Sequence, residues 1–89
     1  MRAFVTVIGH DKVGIIAKVC TLLAERAVNI LDISQTILQD NFTMVMLVDA
    51  TECKVSFEDL ATELRELGAG MELTIRIQRE EIFNAMHRI

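Results

Sequence analysis

The sequence contains neither tryptophan nor tyrosine, and four phenylalanines are its only large aromatic residues. A sheet that binds RNA by base stacking needs aromatic side chains on its central strands, whereas Phe4 and Phe42 are better explained as core residues. Positive charge is also scarce, since nine Lys and Arg residues stand against 13 Asp and Glu residues, for a net charge of −4. We therefore expect no nucleic-acid partner and no attraction to anionic membranes.

Cysteine is nearly absent as well, with only Cys20 and Cys53 in the chain. Their separation fits no metal or redox motif, and one pair in a chain of this size is weak evidence for a disulfide. We predict two free thiols, with Cys20 buried on a helix and Cys53 in a loop. His87, near the end of the last predicted helix, has no partner at the spacing of metal ligands. The sequence therefore predicts no metal and no cofactor.

Long apolar runs are missing too. No run approaches the roughly 18 residues of a membrane span, and the first residues alternate like a strand instead of forming a signal peptide. We expect a cytoplasmic protein with a single domain over residues 1–89. Because 52% of the residues are hydrophobic, more apolar surface is available than so small a core needs. An oligomer is the expected consequence.

Hydrophobic periodicity predicts four strands and three helices. In chain order, these are a strand at 2–8, a helix at 13–26, strands at 30–38 and 42–48 joined by a hairpin loop at 39–41, a helix that begins at Ser56 and ends near Gly68–Gly70, a strand at 71–78, and a terminal helix at about 79–87. Ser56 is the predicted N-cap of the second helix. Asn29 lies in the predicted turn before the second strand, where it tolerates unusual dihedral angles.

This βαββαβ order is the ferredoxin-like α+β plan, a four-stranded antiparallel sheet with two helices on one face and here an extra C-terminal helix. Right-handed crossovers place the first and third strands in the centre of the sheet. Both of these strands are apolar on both sides, which independently supports the topology. The other face of the sheet is then partly apolar, and we expect the terminal helix, a partner subunit or both to cover it.

The segment from Gly9 to Gly14 connects the first strand to the first helix. Gly9 allows a sharp turn, Asp11 is a candidate N-cap, and Gly14 exposes backbone in the first helical turn. Free N–H groups at a helix start form a ready site for an anion or a carboxylate. The alternative is a simple strand-to-helix turn without a ligand.

Catalytic interpretations of this loop find little support. It has no paired cysteines, as a copper carrier would need, and no arginine, as an acylphosphatase-like phosphate site would need. His10, Asp11 and Lys12 are adjacent, so their side chains rarely converge on one point, and no nucleophile lies beside them. We expect His10 to be an exposed loop residue and the protein not to be an enzyme.

The chain resembles the ACT domain, a small ligand-sensing module of amino-acid metabolism. The resemblance rests on Gly9-His10-Asp11-Lys12-Val13-Gly14-Ile15-Ile16, on Leu22-Leu23-Ala24-Glu25, on Val28-Asn29-Ile30 and on Asp32-Ile33-Ser34-Gln35-Thr36. It covers about residues 3–78 and leaves the helix at about 79–87 outside the usual module. The chain is most similar to free-standing, single-domain ACT proteins and to the related half of the glycine cleavage system repressor, and we expect no catalytic or DNA-binding domain.

The resemblance implies a homodimer, or a higher homo-oligomer, with an amino acid or related metabolite bound between subunits. The site would join the first loop of one chain to the helix-to-strand turn of the other. Its implied residues are Gly9, His10, Asp11, Lys12, Val13, Gly14, Ile15 and Asn29. Gly14 and Asn29 match the family pattern, whereas Val13 replaces a Pro and Asp11 replaces an Asn. The Asp in place of Asn makes the predicted site more anionic.

Two functions follow as hypotheses. The first is a non-catalytic, amino-acid-sensing regulatory domain that acts as a dimer and is read by a regulated partner protein. The alternative is a ligand-free interaction or oligomerisation module, in which the apolar sheet face and a terminal helix with Ile82, Phe83 and Met86 form the docking surface.

Overall fold

The computed structural model describes residues 1–10 and 13–86. Its elements in chain order are β1 (Arg2–His10), α1 (Ile15–Glu25), β2 (Asn29–Leu38), β3 (Asn41–Asp49), α2 (Phe57–Gly70), β4 (Leu73–Arg79) and α3 (Glu80–Met86). The predicted βαββαβ order with a C-terminal helix is confirmed.

The four strands form one antiparallel sheet in the order β2-β3-β1-β4. The apolar strands β1 and β3 are central, as predicted. Alternate residues of these strands, such as Val5 and Met46, are fully buried beneath α1 and α2. Leu23 of α1 and Leu64 of α2 complete this core from the helical layer. The ferredoxin-like prediction is therefore correct.

The strand β1 continues two residues beyond the predicted end at Ile8. Gly9 pairs with Phe42 and with Leu73, so the sharp turn predicted at Gly9 is wrong. A Cβ at this position would meet the Leu73 side chain, and glycine is required by close packing of β4 on β1,. His10 is exposed, as expected, but it is the last strand residue and pairs with Asn41.

The helix α1 begins at Ile15, two residues later than predicted. Its N-cap is Gly14, which has a left-handed φ of 87°, and no side chain of the described residues caps the helix start. Glycine adopts this φ without a Cβ penalty. The prediction of Asp11 as the N-cap is therefore wrong, and Asp11 itself lies outside the described residues.

The turns on either side of β2 also differ from the prediction. Ala27, with φ 59°, has the left-handed conformation expected for Asn29, and Asn29 is already the first residue of β2. The hairpin loop contains two residues instead of three, because Asn41 opens β3. Gln39 and Asp40 both have positive φ, at 50° and 70°, which is the pattern of a two-residue hairpin whose twist matches the strands.

The N-cap of α2 is confirmed, since Ser56 Oγ accepts a hydrogen bond of 3.0 Å from the Asp59 amide. The helix ends at Gly70, within the predicted range, but the predicted glycine cap is wrong because the C-cap is Met71. Gly68 is buried, and a Cβ there would lie 2.8 Å from the Leu73 carbonyl oxygen. Gly68 is thus a packing residue rather than the helix terminator. The start of β4 moves accordingly from residue 71 to Leu73.

The helix α3 packs on the sheet face opposite α1 and α2. Phe83 stacks on Phe4 with ring centroids 4.3 Å apart, and Arg2 pairs with Glu80 at 3.2 Å. The expectation that the terminal helix covers part of this face is confirmed. Ile82, however, stays half exposed instead of joining this contact, and His87 lies outside the described residues.

Cys20 and Cys53 are free and partly buried. Among the residues that the structure describes, no helix is long and apolar enough to cross a membrane.

Candidate ligand site

A groove of about 480 Å³ lies where the start of α1 faces the middle of β2. It opens on the side of the sheet that carries the helices. Its lining residues are Gly14, Ile15, Ile16, Ala17, Gln35, Ile37 and Phe42. The walls are apolar except for the Gln35 amide and the backbone of the first helical turn. A small pocket with few polar groups is the usual form of a small-molecule site.

The start of α1 contributes hydrogen-bond donors to this region. The first helical hydrogen bond runs from the Lys18 amide to the Gly14 carbonyl oxygen, at 3.0 Å. The amides of residues 15–17 precede this bond and have no capping side chain within the described part of the chain,. Unpaired amides and the positive end of the helix dipole together favour an anionic group such as a carboxylate.

The described lining residues include no titratable side chain. Among the residues that the structure describes, the two side chains with shifted pKa values lie elsewhere in the fold. The hydrogen bond and charge of Glu63 raise the pKa of Arg26, and hydrogen bonds from Thr51 lower the pKa of Asp49. The described part of the groove therefore has the chemistry of binding rather than of proton transfer.

The structure brings only some of the predicted site residues to this groove. Gly14 and Ile15 line it. Val13 is fully exposed beside it, and Gly9 and His10 belong to β1. Asp11 and Lys12 lie outside the described residues.

Within one chain, the predicted site residue Asn29 lies far from the groove. It opens β2 opposite Asp49, whereas Gln35 lies further along the same strand, opposite Met44. At about 3.3 Å per residue, these two positions are roughly 20 Å apart. A single chain therefore does not place Asn29 against Gly14.

Sequence reasoning missed Gln35 as a site residue. A signal was present, because strand alternation places Gln35 on the same face as Ile33 and Ile37. A polar residue between two apolar ones on one face is the pattern expected of a polar contact inside an apolar groove. Ile16, Ile37 and Phe42 were missed as well, since apolar lining residues cannot be distinguished from core by pattern alone.

The outer edge of β2 borders the groove and pairs with no strand of the chain as described. This ten-residue strand exposes four large apolar side chains. Three of them are Ile33, Ile37 and Leu38, with 41%, 53% and 69% of their surface exposed. A long apolar edge strand is a template for pairing with another chain.

A family model for the ACT domain matches residues 2–78. The chain belongs to the ACT domain family. ACT domains are regulatory modules that bind small-molecule ligands and form oligomers. The match leaves α3 outside the family module, as expected from the sequence.

Two proteins of similar length and one longer protein are similar to this ACT domain. A UPF0237 protein of Clostridium acetobutylicum is 56% identical over 100% of both chains. An ACT domain protein from Streptococcus pneumoniae has a structure with a TM-score of 0.81, 43% identity and 93% coverage of both chains. A putative glycine cleavage system transcriptional repressor shares the fold, with a TM-score of 0.74 and 24% identity over 86% of this chain and 44% of its own.

Proposed function

We propose that this ACT domain is a non-catalytic homodimeric sensor of an amino acid bound between the two subunits. The observation that carries the proposal is the position of the groove between Gly14 and Gln35, directly beside the unpaired edge of β2. The groove offers helix amides for a carboxylate and one side-chain amide for a second polar group. Its open side is the side from which a partner chain would approach.

The proposed dimer forms by antiparallel pairing of the two β2 edges. Such pairing buries the exposed side chains of Ile33 and Ile37 and continues the sheet from one subunit into the other. Each copy uses the same surface, as a closed two-fold dimer requires. The exposed apolar edge thereby acquires the burial that its alternation predicts.

This dimer also explains Asn29. With the two-fold axis near Ile33, antiparallel pairing brings Asn29 of the partner subunit, which lies before the bulge between Ile30 and Asp32, near the level of Ile37 at the end of the strand that lines the groove,. The Asn29 amide can donate to a ligand carboxylate or accept from an ammonium group. The roughly 20 Å that separates Asn29 from Gln35 within one chain thus becomes a short distance across the interface.

Sensing then follows from linkage between ligand and interface. A ligand that touches both subunits stabilises the dimer, or one arrangement of its subunits, by its difference in affinity between the two states. A regulated protein would recognise that arrangement. The described residues that line the groove supply binding contacts and include no nucleophile–base pair.

The first test is a thermal-shift panel of the common amino acids on the purified protein at about millimolar concentration. A ligand at 100 times its Kd adds about 2.7 kcal/mol of stability, and each kcal/mol raises the Tm of a domain this small by about 4–8 °C. One or two amino acids should raise the Tm clearly, and Gln35→Ala should remove the shift. A flat panel from a protein that melts cooperatively would reject amino-acid sensing.

The second test addresses the interface. We expect Ile33→Lys to shift the dimer to monomer in sedimentation velocity, because lysine on an edge strand opposes pairing. Thr43→Lys is the matched control, since it adds the same charge at an exposed position of the interior strand β3. A wild-type protein that is monomeric at all concentrations, or an Ile33→Lys variant that remains dimeric, would contradict the proposed interface.

A further inference from the structure

A second groove of about 500 Å³ lies on the opposite face of the sheet, between the strands and α3. Its lining includes Thr6, Ile8, Val45, Thr74, Arg76 and Phe83. None of these residues lines the groove at Gly14, so the two grooves are separated by the thickness of the sheet. This second groove is formed within one chain and needs no partner subunit.

The register of the strands groups its polar residues. Thr6 lies directly opposite Arg76 of β4 and opposite Val45 of β3. Ile8 lies opposite Thr74 in the next row. Side chains that face each other across antiparallel strands have Cβ atoms about 4.5–5.5 Å apart. A guanidinium and two hydroxyls therefore converge on one side of the groove.

Arg76 is the only charged side chain among the described residues that line the groove, and those residues give it no ion-pair partner. Other charged groups on this face have contacts of their own, and the Asp32 carboxylate of β2, opposite Leu47, accepts from the Ile33 amide. Arg2 pairs with Glu80, and Asp49 accepts hydrogen bonds from Thr51. The described lining of the groove thus carries one positive charge without an ion-pair partner among the described residues, in a chain whose net charge is −4.

Apart from Gln78, which lies opposite Phe4, the rest of the described lining is apolar. Phe83 is held there by its stacking on Phe4, and Val45 lies between Thr6 and the outer strand β2. Ile8 leaves half of its surface exposed on the groove floor, although it belongs to a central strand. An apolar ligand body would cover this surface.

We infer that this groove binds a small organic monocarboxylate with an apolar body. The Arg76 guanidinium pairs with the carboxylate, in the fork geometry that arginine favours, and the Thr6 and Thr74 hydroxyls donate to it. The apolar body lies on Ile8, Val45 and Phe83.

The test is an NMR titration of the ¹⁵N-labelled full chain with phenylacetate, which carries one carboxylate on an aromatic body. We expect saturable shifts at Thr6, Val45 and Arg76, with a Kd in the range of about 1 mM or tighter. Phenylacetamide has the same shape without the charge, and it should bind at least about tenfold more weakly. Acetate, which lacks the apolar body, should also bind more weakly.

Two variants separate this site from a general charge effect. Arg76→Gln should weaken phenylacetate binding by about tenfold or more, whereas Arg65→Gln, an exposed cation on α2, should leave it unchanged within about twofold. Unaltered spectra elsewhere in Arg76→Gln would show an intact fold. Equal affinity of Arg76→Gln and wild type, equal affinity for the amide, shifts confined to Gly14 and Gln35, or no saturable binding would each overturn the inference.

Discussion

Gly9 and Gly70 differ in the space available for a side chain, and the effect of an alanine substitution on stability should differ accordingly. A Cβ at Gly9 would meet the Leu73 side chain and lie 3.3 Å from the Leu73 Cα atom, whereas a Cβ at Gly70 would meet nothing within 4 Å. Gly9→Ala should therefore lower the free energy of unfolding by about 1–3 kcal/mol through overpacking. Gly70→Ala should be neutral or raise it by up to about 1 kcal/mol.

Urea unfolding of the wild type and both variants checks this prediction. Equal loss of stability at the two positions would show that the tight contact between β1 and β4 is not what requires glycine at Gly9. The sequence indicated that this position needs glycine, but the predicted reason, a sharp turn, is wrong. Only the strand register reveals that Leu73 lies opposite Gly9.

Asp49 links stability to pH at one residue. The Thr51 hydroxyl and amide donate to its carboxylate at 2.5 and 2.9 Å, and these bonds lower its pKa in the folded state. A folded pKa below the unfolded value of about 3.9 stabilises the fold above that pH, and this stabilisation is lost as the pH falls through the folded pKa.

We therefore expect Asp49→Asn to have a lower Tm than the wild type at neutral pH. The two proteins should become equally stable as the pH is lowered through the acid range below about 4. Parallel melts from pH 7 down to the acid limit measure the difference. A difference that stays constant with pH would show that the Thr51 bonds do not favour the charged carboxylate.

At the level of elements, the N-cap of α2 offers a direct test of local sequence signals. Ser56 accepts from the Asp59 amide, and loss of such a cap costs about 1 kcal/mol. Ser56→Ala should lower the free energy of unfolding by about this amount, as measured by urea titration. Ser56→Asp keeps an acceptor at the cap and should lose far less; an equal loss in both variants would mean that the hydroxyl has another role.

The elements themselves were predictable to within a few residues because capping, alternation and helical periodicity are local signals. The burial of β2 was not predictable in the same way. Its alternation of Ile33 and Ile37 with polar residues indicates a half-buried strand, yet both side chains are exposed in the single chain. The pattern is consistent with burial by another copy. Alternation within one sequence does not distinguish such burial from burial in the chain's own core.

The same distinction limits prediction of the candidate site. Gly14 could be identified because a loop glycine before an amphipathic helix is a local feature. Gln35 reaches the groove through the hairpin pairing of β2 with β3 and the packing of α1, and neither is encoded at Gln35 itself. Asn29 is meaningful for the site only if two chains are considered together.

For the whole molecule, the proposed site predicts complementation between two inactive variants. Asn29→Ala and Gln35→Ala should each abolish ligand binding as homodimers, because every interface site loses one of its polar groups. In a mixed dimer, the groove of the Asn29→Ala chain retains Gln35 and receives the intact Asn29 of the partner subunit. One of its two sites is then complete.

Mixing equal amounts of the two variants should therefore restore binding to about one site for every four chains, since random exchange makes half of the dimers mixed. Calorimetry with the amino acid found in the thermal-shift panel measures this stoichiometry, and each variant alone serves as the baseline. If the site lay within one chain, every chain in the mixture would still lack a group and no binding would return. Recovery after mixing would thus demonstrate a site shared between subunits, and a silent mixture of exchanging dimers would refute it.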